Sequence, residues 1–407
     1  MKDITYKREV WQAPSGQIIR AKLSPELRKS HFGPKLRTFI INLYAQGMTQ
    51  PEIYNFLHGT GVNISSGQIN NIFLEEAERF TVESEKILQA GLSEASYIRV
   101  DDTGARHRHK NGYCTHIGGE HFAYYKTTPS KSRANFLSIL SQGKEGYIVN
   151  NAMIWHLYQS GVRDDILNLF EELKGKRYRQ KKDFRRFLTI QRLYSKKLKE
   201  QCIEAGYVGF IAETILKKGQ VLLSDRAGQF AVFDHAGCWV HMERPLRKVI
   251  ASSKTVQKEL KKARESIWEL YSTLNNAILT QTGRAKVNAQ YDALVKIKSS
   301  SPTITNVIES FKTYRAEMLK ALDHPELSLH NNDSERDIRG FVKRRKISGS
   351  TKSEQGKKFR DSLTSLKQTC FRLGLSFWQY SLKWFQGEPL DLSQLVYEKY
   401  RSNVSTI

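Results

Sequence analysis

Two short apolar runs that stop at acids, a strand meander after the first, and long helical stretches around the second predict an α/β (α+β) chain. The expected architecture is a mixed-sheet core with helical insertions, preceded by a helical, helix-turn-helix-like segment. With 407 residues the chain is long enough for two or three domains. The expected boundaries are a flexible arm over 1–32, a helical segment and linker over 33–95, and the mixed core over 96–350. That core is interrupted by helical blocks at about 152–218 and 247–325, and a helical tail occupies 351–407.

The arm is polar, with a turn at Pro14-Ser15-Gly16. From Gly33-Pro34, Leu36, Phe39, Ile40 and Leu43 recur at helical spacing up to Gly47, a C-terminal glycine. Thr49-Gln50-Pro51-Glu52 reads as a capping box opening a short helix through Ile53, Phe56 and Leu57, which Gly59 and Gly61 break. A second box, Ser65-Ser66-Gly67-Gln68, opens a helix carrying Ile69, Ile72 and Phe73. Two short helices joined by a glycine-bearing turn and preceded by a supporting helix match a helix-turn-helix DNA reader, with Gln68, Asn70 and Asn71 as candidates to face a groove. A plain three-helix bundle would use the same pattern. Residues 75 to about 95 read as a charged amphipathic helix and linker.

Tyr97-Ile98-Arg99-Val100-Asp101-Asp102-Thr103-Gly104 then reads as a strand whose C-terminal end presents carboxylate, with strands at 112–119 and 121–126 continuing a meander. Ser132–Leu140 reads as a helix and Tyr147–Asn150 as a strand. Val221-Leu222-Leu223-Ser224-Asp225 is again an apolar run ending in Asp, and Phe230, Val232 and Phe233 are expected in a packed helix or turn. Asn332 and Asp333 cap a helix that places Glu335 in its first turn and is expected to bury Ile338 and Val342. The tail from Phe359 through Tyr380 reads as an amphipathic helix with aromatic anchors.

The balance of 65 Lys+Arg against 41 Asp+Glu, a formal charge of +24, favours a nucleic acid or an anionic membrane as partner. A membrane is the weaker reading. No run approaches the roughly 18 apolar residues of a spanning helix, Met1-Lys2-Asp3-Ile4-Thr5 opens no signal-peptide pattern, and the cations are spread among aromatics along the whole chain. Four widely separated cysteines without a Cys-x-x-Cys pair argue against a disulfide framework and a four-cysteine zinc site, and point to a reducing cytoplasm.

Asp101 and Asp225 close the two apolar runs, and Glu335 opens the downstream helix. Each has an ordinary explanation: turns favour Asp after a strand, and Glu335 with Arg339 is a common i,i+4 pair. Three carboxylates on one mixed core can also hold two hard divalent cations, while Arg336, Arg339, Lys343, Arg344 and Arg345 supply charge for phosphates. Arg336 and Arg339 have a second reading, as side chains that orient Glu335. Cys238-x-x-His241 offers half a zinc site with no second pair nearby, so no zinc is expected. A hydrogen-bonded His241, or a His241 that meets a phosphate, fits better.

The segments Val100-Asp101-Asp102-Thr103-Gly104, Leu223–Phe230, Cys238–Arg244 and Leu329–Arg339 with Arg345-Lys346-Ile347-Ser348-Gly349 resemble DDE transposases of the IS66 insertion-sequence family. The resemblance covers most of the chain, and Leu329–Arg339 is its most specific part. It implies an RNase H-like catalytic core, with Asp101, Asp225 and Glu335 as catalytic and metal-binding triad and two Mg²⁺ or Mn²⁺ ions; Asp102, next to the first acid, and His241 and Arg244, which follow the second, are accessory candidates from their place in the sequence. The choice of Asp101 over Asp102 rests on the family pattern. The implied reaction is cleavage at transposon ends and strand transfer into target DNA, by a homo-oligomer on double-stranded DNA, with helper proteins from the same element, in a prokaryotic, nucleoid-associated setting. The cysteine-rich zinc segment that family members often carry near the N-terminus is absent, since no cysteine precedes Cys114. A catalytically silent DNA-binding protein derived from a transposase is the rival reading. A tyrosine or serine recombinase would need an Arg/His constellation around its nucleophile that is not found.

Overall fold

The structure, a computed structural model, describes residues 7–22, 32–280 and 282–402. It divides into two units, Met1–Ile72 with Leu375–Leu390, and Phe73–Gly374 with Asp391–Ile407.

In the first unit, β1 (Val10–Gln12) and β2 (Ile18–Arg20) pair antiparallel around the expected turn, so part of the arm is a hairpin rather than loose chain. Residues 1–6 and 23–31 of that arm lie outside the described residues. Helix α1 (Pro34–Gln46) starts on its proline and stops at Gly47, whose φ of 118° is open to glycine but strained for other residues. Helix α2 (Gln50–Gly59) opens with the predicted reciprocal capping box, the Thr49 N–H donating to Glu52 Oε2 at 2.6 Å. Helix α3 (Ser66–Glu94) opens with Ser65 Oγ accepting from the Gln68 N–H at 3.1 Å. The expected linker after residue 75 is a continuation of this helix into the second unit. No proline interrupts it, and Ile69, Ile72, Phe73, Ala77, Phe80, Ile87 and Leu88 keep its buried stripe unbroken.

The second unit is built on a five-stranded mixed sheet. Strands β3 (Tyr97–His107), β4 (Lys110–Gly118) and β5 (Ala123–Thr128) form the antiparallel meander. Strand β3 runs on past the acids, contrary to the expectation that it stops there, because Asp101 to His107 pair with β4 as far as the turn at 108–109. After α4 (Arg133–Leu140) comes an inserted module: β6 (Tyr147–Ile148), α5 (Asn151–Gln159), α6 (Asp164–Glu172), β7 (Arg177–Tyr178), α7 (Lys181–Ile190) and α8 (Lys196–Thr214). It has its own core around Phe170, Phe184, Leu188 and Cys202.

The chain then returns to the sheet with β8 (Val221–Ser224) and β9 (Asp234–Gly237), giving the order β5-β4-β3-β8-β9 with the last two pairings parallel. Strand β9 was not expected. Asp-His-Ala-Gly carries no β-branched residue, and pairing with β8 overrides local propensity. Helices α9 (Trp239–Glu243), α10 (Lys254–Thr280), α11 (Arg284–Leu294), α12 (Pro302–Thr313) and α13 (Arg315–Met318) bury Val221, Leu223 and Ala236 of the sheet together with Trp239, Tyr291 and Phe311. Helix α14 (Asn332–Ser348) carries Glu335, and α15 (Glu354–Arg372) follows it. The last two helices are α16 (Phe377–Gln386), in the first unit, where Ser381 Oγ accepts from Asn42 Nδ2 at 2.9 Å, and α17 (Leu392–Ser402), in the second. The expected tail is therefore divided between the two units.

Helix α15 closes the sheet edge. The N–H groups of Ala123, Tyr125 and Thr127 on β5 donate to Thr369 Oγ1, Ser365 Oγ and Asp361 Oδ2 at 3.2, 2.9 and 2.7 Å. Four helical residues rise about 6 Å and two strand residues about 6.8 Å, so acceptors every fourth residue match donors every second. An exposed edge is thereby covered. Ser365→Ala should cost about 1–3 kcal/mol because it leaves the Tyr125 N–H buried without a partner. Thr364→Ala, one position away, should stay within about 0.5 kcal/mol. Urea denaturation followed by tryptophan fluorescence measures both, and equal effects would show that the edge contact is not what Ser365 contributes.

Candidate active site

Arg99 pairs in parallel register with Leu223, and Asp101 and Asp225 each follow two residues further along the chain from this pair. The consequence is electrostatic: the Asp101 carboxyl is pushed up to about 7 by burial first, then by the charge of Asp225, with smaller contributions from Asp102 and Glu335. The hydrogen bond it accepts from the Asp102 N–H at 2.7 Å offsets only part of this. Asp102 is placed differently. It accepts from Thr115 Oγ1 at 2.6 Å and from Gln229 Nε2 at 2.7 Å, although burial still raises its carboxyl. Asp225 accepts from the Ala227 N–H at 2.9 Å.

The start of α14, which carries Glu335, is anchored to the segments that carry Asp101 and Asp225. Asn331, fully buried ahead of α14, donates from Nδ2 to the Val100 carbonyl at 2.9 Å and from its N–H to Cys238 Sγ at 3.2 Å. The Cys238 N–H donates to the Ser224 carbonyl and the Trp239 N–H to the Leu329 carbonyl, both at 3.0 Å. The residues beside all three acids are thus tied to one another. The Glu335 carboxylate meets Arg244 Nη2 at 2.6 Å and His241 Nε2 at 3.1 Å. Burial and Arg244 lower the His241 pKa, against the charges of Glu335 and Asp225. It is therefore Arg244 and His241, rather than Arg336 or Arg339, that orient Glu335. Arg336 instead pairs with Asp333, which also receives the buried Arg99.

The basic residues of α14 divide by burial. Arg339 and Lys343 are exposed, whereas Arg344 is buried and Arg345 donates to the Gly104 carbonyl. That close approach uses the missing side chain of Gly104, where a Cβ would stand 2.8 Å from the Arg345 guanidinium. Ile338 is buried as expected, but its buried companion is Phe341, with Val342 only half-buried. In the first unit Gln68 and Asn70 are half-buried and Asn71 is exposed, all near the start of α3. Sequence reasoning also missed a hydrogen-bonded chain flanking Asp225. His235 joins Ser224 Oγ at 2.7 Å to Glu317 at 2.8 Å, and Glu317 pairs with Arg226 at 3.0 Å. Its signal was hidden because β9, which carries His235, has no strand-like composition.

The donors of Asp101, Asp225 and Glu335 are all hard oxygens, and burial followed by the charge of Asp225 raises Asp101, a cost that a divalent cation relieves, so their chemistry suits Mg²⁺ or Mn²⁺. Among the described residues, however, no three His, Cys, Asp or Glu side chains are gathered closely enough to hold an ion together. No helix among the described residues is long and apolar enough to cross a membrane.

Comparison with known proteins places the chain among transposase-related proteins. The model of the transposase IS66 family matches residues 209–359, a span that includes Asp225, His241, Arg244 and Glu335 but begins after Asp101. The uncharacterized protein y4jO of Sinorhizobium fredii (strain NBRC 101917 / NGR234) is 34% identical over 298 residues, 72% of this chain and 93% of that one. The chain belongs to the IS66 transposase family.

Because folding raises the Asp101 carboxyl to about 7, the folded chain holds an extra proton between its ordinary carboxylate range and pH 7, and stability contributed at this site falls as pH rises through that window. Asp101→Asn should therefore melt above wild type at pH 8 without divalent cations, by up to a few kcal/mol, and converge with it near pH 4. A difference independent of pH would remove Asp101 as its source.

Proposed function

We propose that the chain is a DNA transposase that cuts DNA at transposon ends and joins the freed 3′-hydroxyls to target DNA, on an RNase H-like core. The observation that carries this reading is that buried hydrogen bonds tie the residues beside Asp101, Asp225 and Glu335 to one another, with the charge of Asp225 felt at the Asp101 carboxyl. The sheet, an antiparallel meander extended by two parallel strands, supports the core assignment. Asp101, Asp225 and Glu335 would hold two Mg²⁺ or Mn²⁺ ions, which when bound supply charge stabilisation for attack on the scissile phosphate. His241 and Arg244 hold Glu335 in place. Arg244, Lys248 and His241, with Pro245, Val249 and Thr303, line a cleft of about 350 Å³ beside Glu335, giving the DNA backbone a cationic approach. Arg339 and Lys343, four and eight residues beyond Glu335 on α14, are exposed and offer further charge for phosphates. Gln68, Asn70 and Asn71, at the start of the second helix of a helix-turn-helix-like arrangement, are the candidates for base contacts.

A second reading, a DNA-binding protein that no longer cuts, is favoured by two observations: Glu335 is occupied by Arg244 and His241, and no three ligands are gathered among the described residues. Incubation of the protein with duplex carrying the inverted repeats of its element, in Mg²⁺ or Mn²⁺, separates the two. The transposase reading expects 3′-hydroxyl nicks at the ends and strand-transfer products. Asp225→Asn should reduce them by about a thousandfold or to background, since several kcal/mol depend on the ion, while end binding stays within about twofold. Undiminished cutting by this variant would exclude Asp225 from the chemistry, and binding without cutting by wild type in either ion would favour the silent protein.

A further inference from the structure

We infer that the inserted module between β6 and α8 is a second DNA-backbone surface, gripping duplex beside the acids. The inference rests on the reading of the chain as a DNA-processing protein and identifies a surface that reading does not require. Residues 174–199 contain 12 Lys or Arg and one acid, Asp183. Some of these cations are neutralised within the module: Lys174 by Glu171, Arg177 by Glu213, and Lys181 and Arg185 by Glu200. Lys176, Arg179, Lys182, Arg186, Lys196 and Lys197 are exposed and have no ion-pair partner among the described residues.

The folding of the module separates these charges from its core. On α7, Phe184, Phe187 and Leu188 turn inward while Lys182 and Arg186, one turn apart, remain outside. Burying the apolar face therefore leaves an uncompensated cationic one, drawn from β7, α7 and the start of α8. Charge of one sign at this density repels itself and lowers the stability of the module unless a polyanion neutralises it. A phosphate backbone, with a charge about every 1.7 Å of duplex axis, is the partner whose spacing suits a row of separate cations.

The module is also fastened to the acids. Arg133 donates to Glu204 of α8 at 3.0 Å and to the carbonyl of Gly228, three residues beyond Asp225, at 2.8 Å. Phe136 packs edge-on against Phe230 with ring centroids 5.0 Å apart. Lys196 lies eight residues before Glu204 on the same helix, a rise of about 12 Å, which is less than the width of a duplex. DNA held there lies alongside the loop that follows Asp225.

The test uses full-length protein and a fluorescein-labelled 30-base-pair duplex of random sequence as probe. Lys182→Gln, Arg186→Gln, Lys196→Gln and Lys197→Gln combined should lower affinity about tenfold or more, and should flatten the slope of log K against log salt by about 3 to 4, one counterion for each lost phosphate contact. In a second arm that does not depend on the variant folding, acetylation of wild-type Lys176, Lys182, Lys196 and Lys197 should be slowed severalfold by the duplex. An unchanged salt slope in a variant with wild-type circular dichroism, or lysines as reactive with duplex as without it, would overturn the inference while leaving the transposase reading intact. Failure of wild type to bind the duplex at low salt would instead remove the DNA reading, and this surface with it.

Discussion

The structure depends on holding like charges together. Asp101 and Asp225 each lie two residues beyond the paired Arg99 and Leu223, and burial first, then the charge of Asp225, pushes the Asp101 carboxyl up to about 7. Neutral hydrogen bonds between backbone and buried side chains keep them there. Asn331 binds the carbonyl just before Asp101, Cys238 binds the carbonyl just before Asp225, and Asn331 binds Cys238. Because these contacts carry no net charge, they fix the chain beside Asp101, Asp225 and Glu335 without adding charge of their own.

Positive charge is distributed around that region with different degrees of freedom. Arg99 and Arg344 are buried, Arg345 is committed to a backbone carbonyl, and Arg244 lies on Glu335. These side chains stabilise the position of α14. Arg339 and Lys343, and the cations of the inserted module, are exposed and open to an outside partner. A net charge of +24 by itself says nothing of this division, since buried and exposed arginines count equally in it.

The sheet edge shows the same economy of means at the level of the fold. A helix cannot pair with a strand through its own backbone, because its N–H and C=O groups are used internally. Asp361, Ser365 and Thr369 supply the acceptors instead, and α15 seals β5 while α14 packs Phe341 against Tyr125, ring centroids 6.3 Å apart, on the face of the meander.

Local chemistry made several elements legible in the sequence. The capping box at Thr49 and Glu52, the stop at Gly47, the start of α3 at Ser65, the cap of α4 at Ser132 and the apolar runs before Asp101 and Asp225 all depend on residues within a few positions of one another, so their signal survives without a fold. The family was legible for the same reason, carried by segments such as Leu329–Arg339 that lie within the matched span. Tertiary contacts alone decided the rest. Strand β9 exists because β8 offers it a pairing edge, and β3 runs past its acids because β4 pairs with them. Arg244 and His241 reach Glu335 across 91 and 94 positions of sequence, where no periodicity connects them. Which of two adjacent aspartates is raised to about 7 was also a tertiary outcome, since burial and Asp225 act on both but Thr115 and Gln229 donate to Asp102.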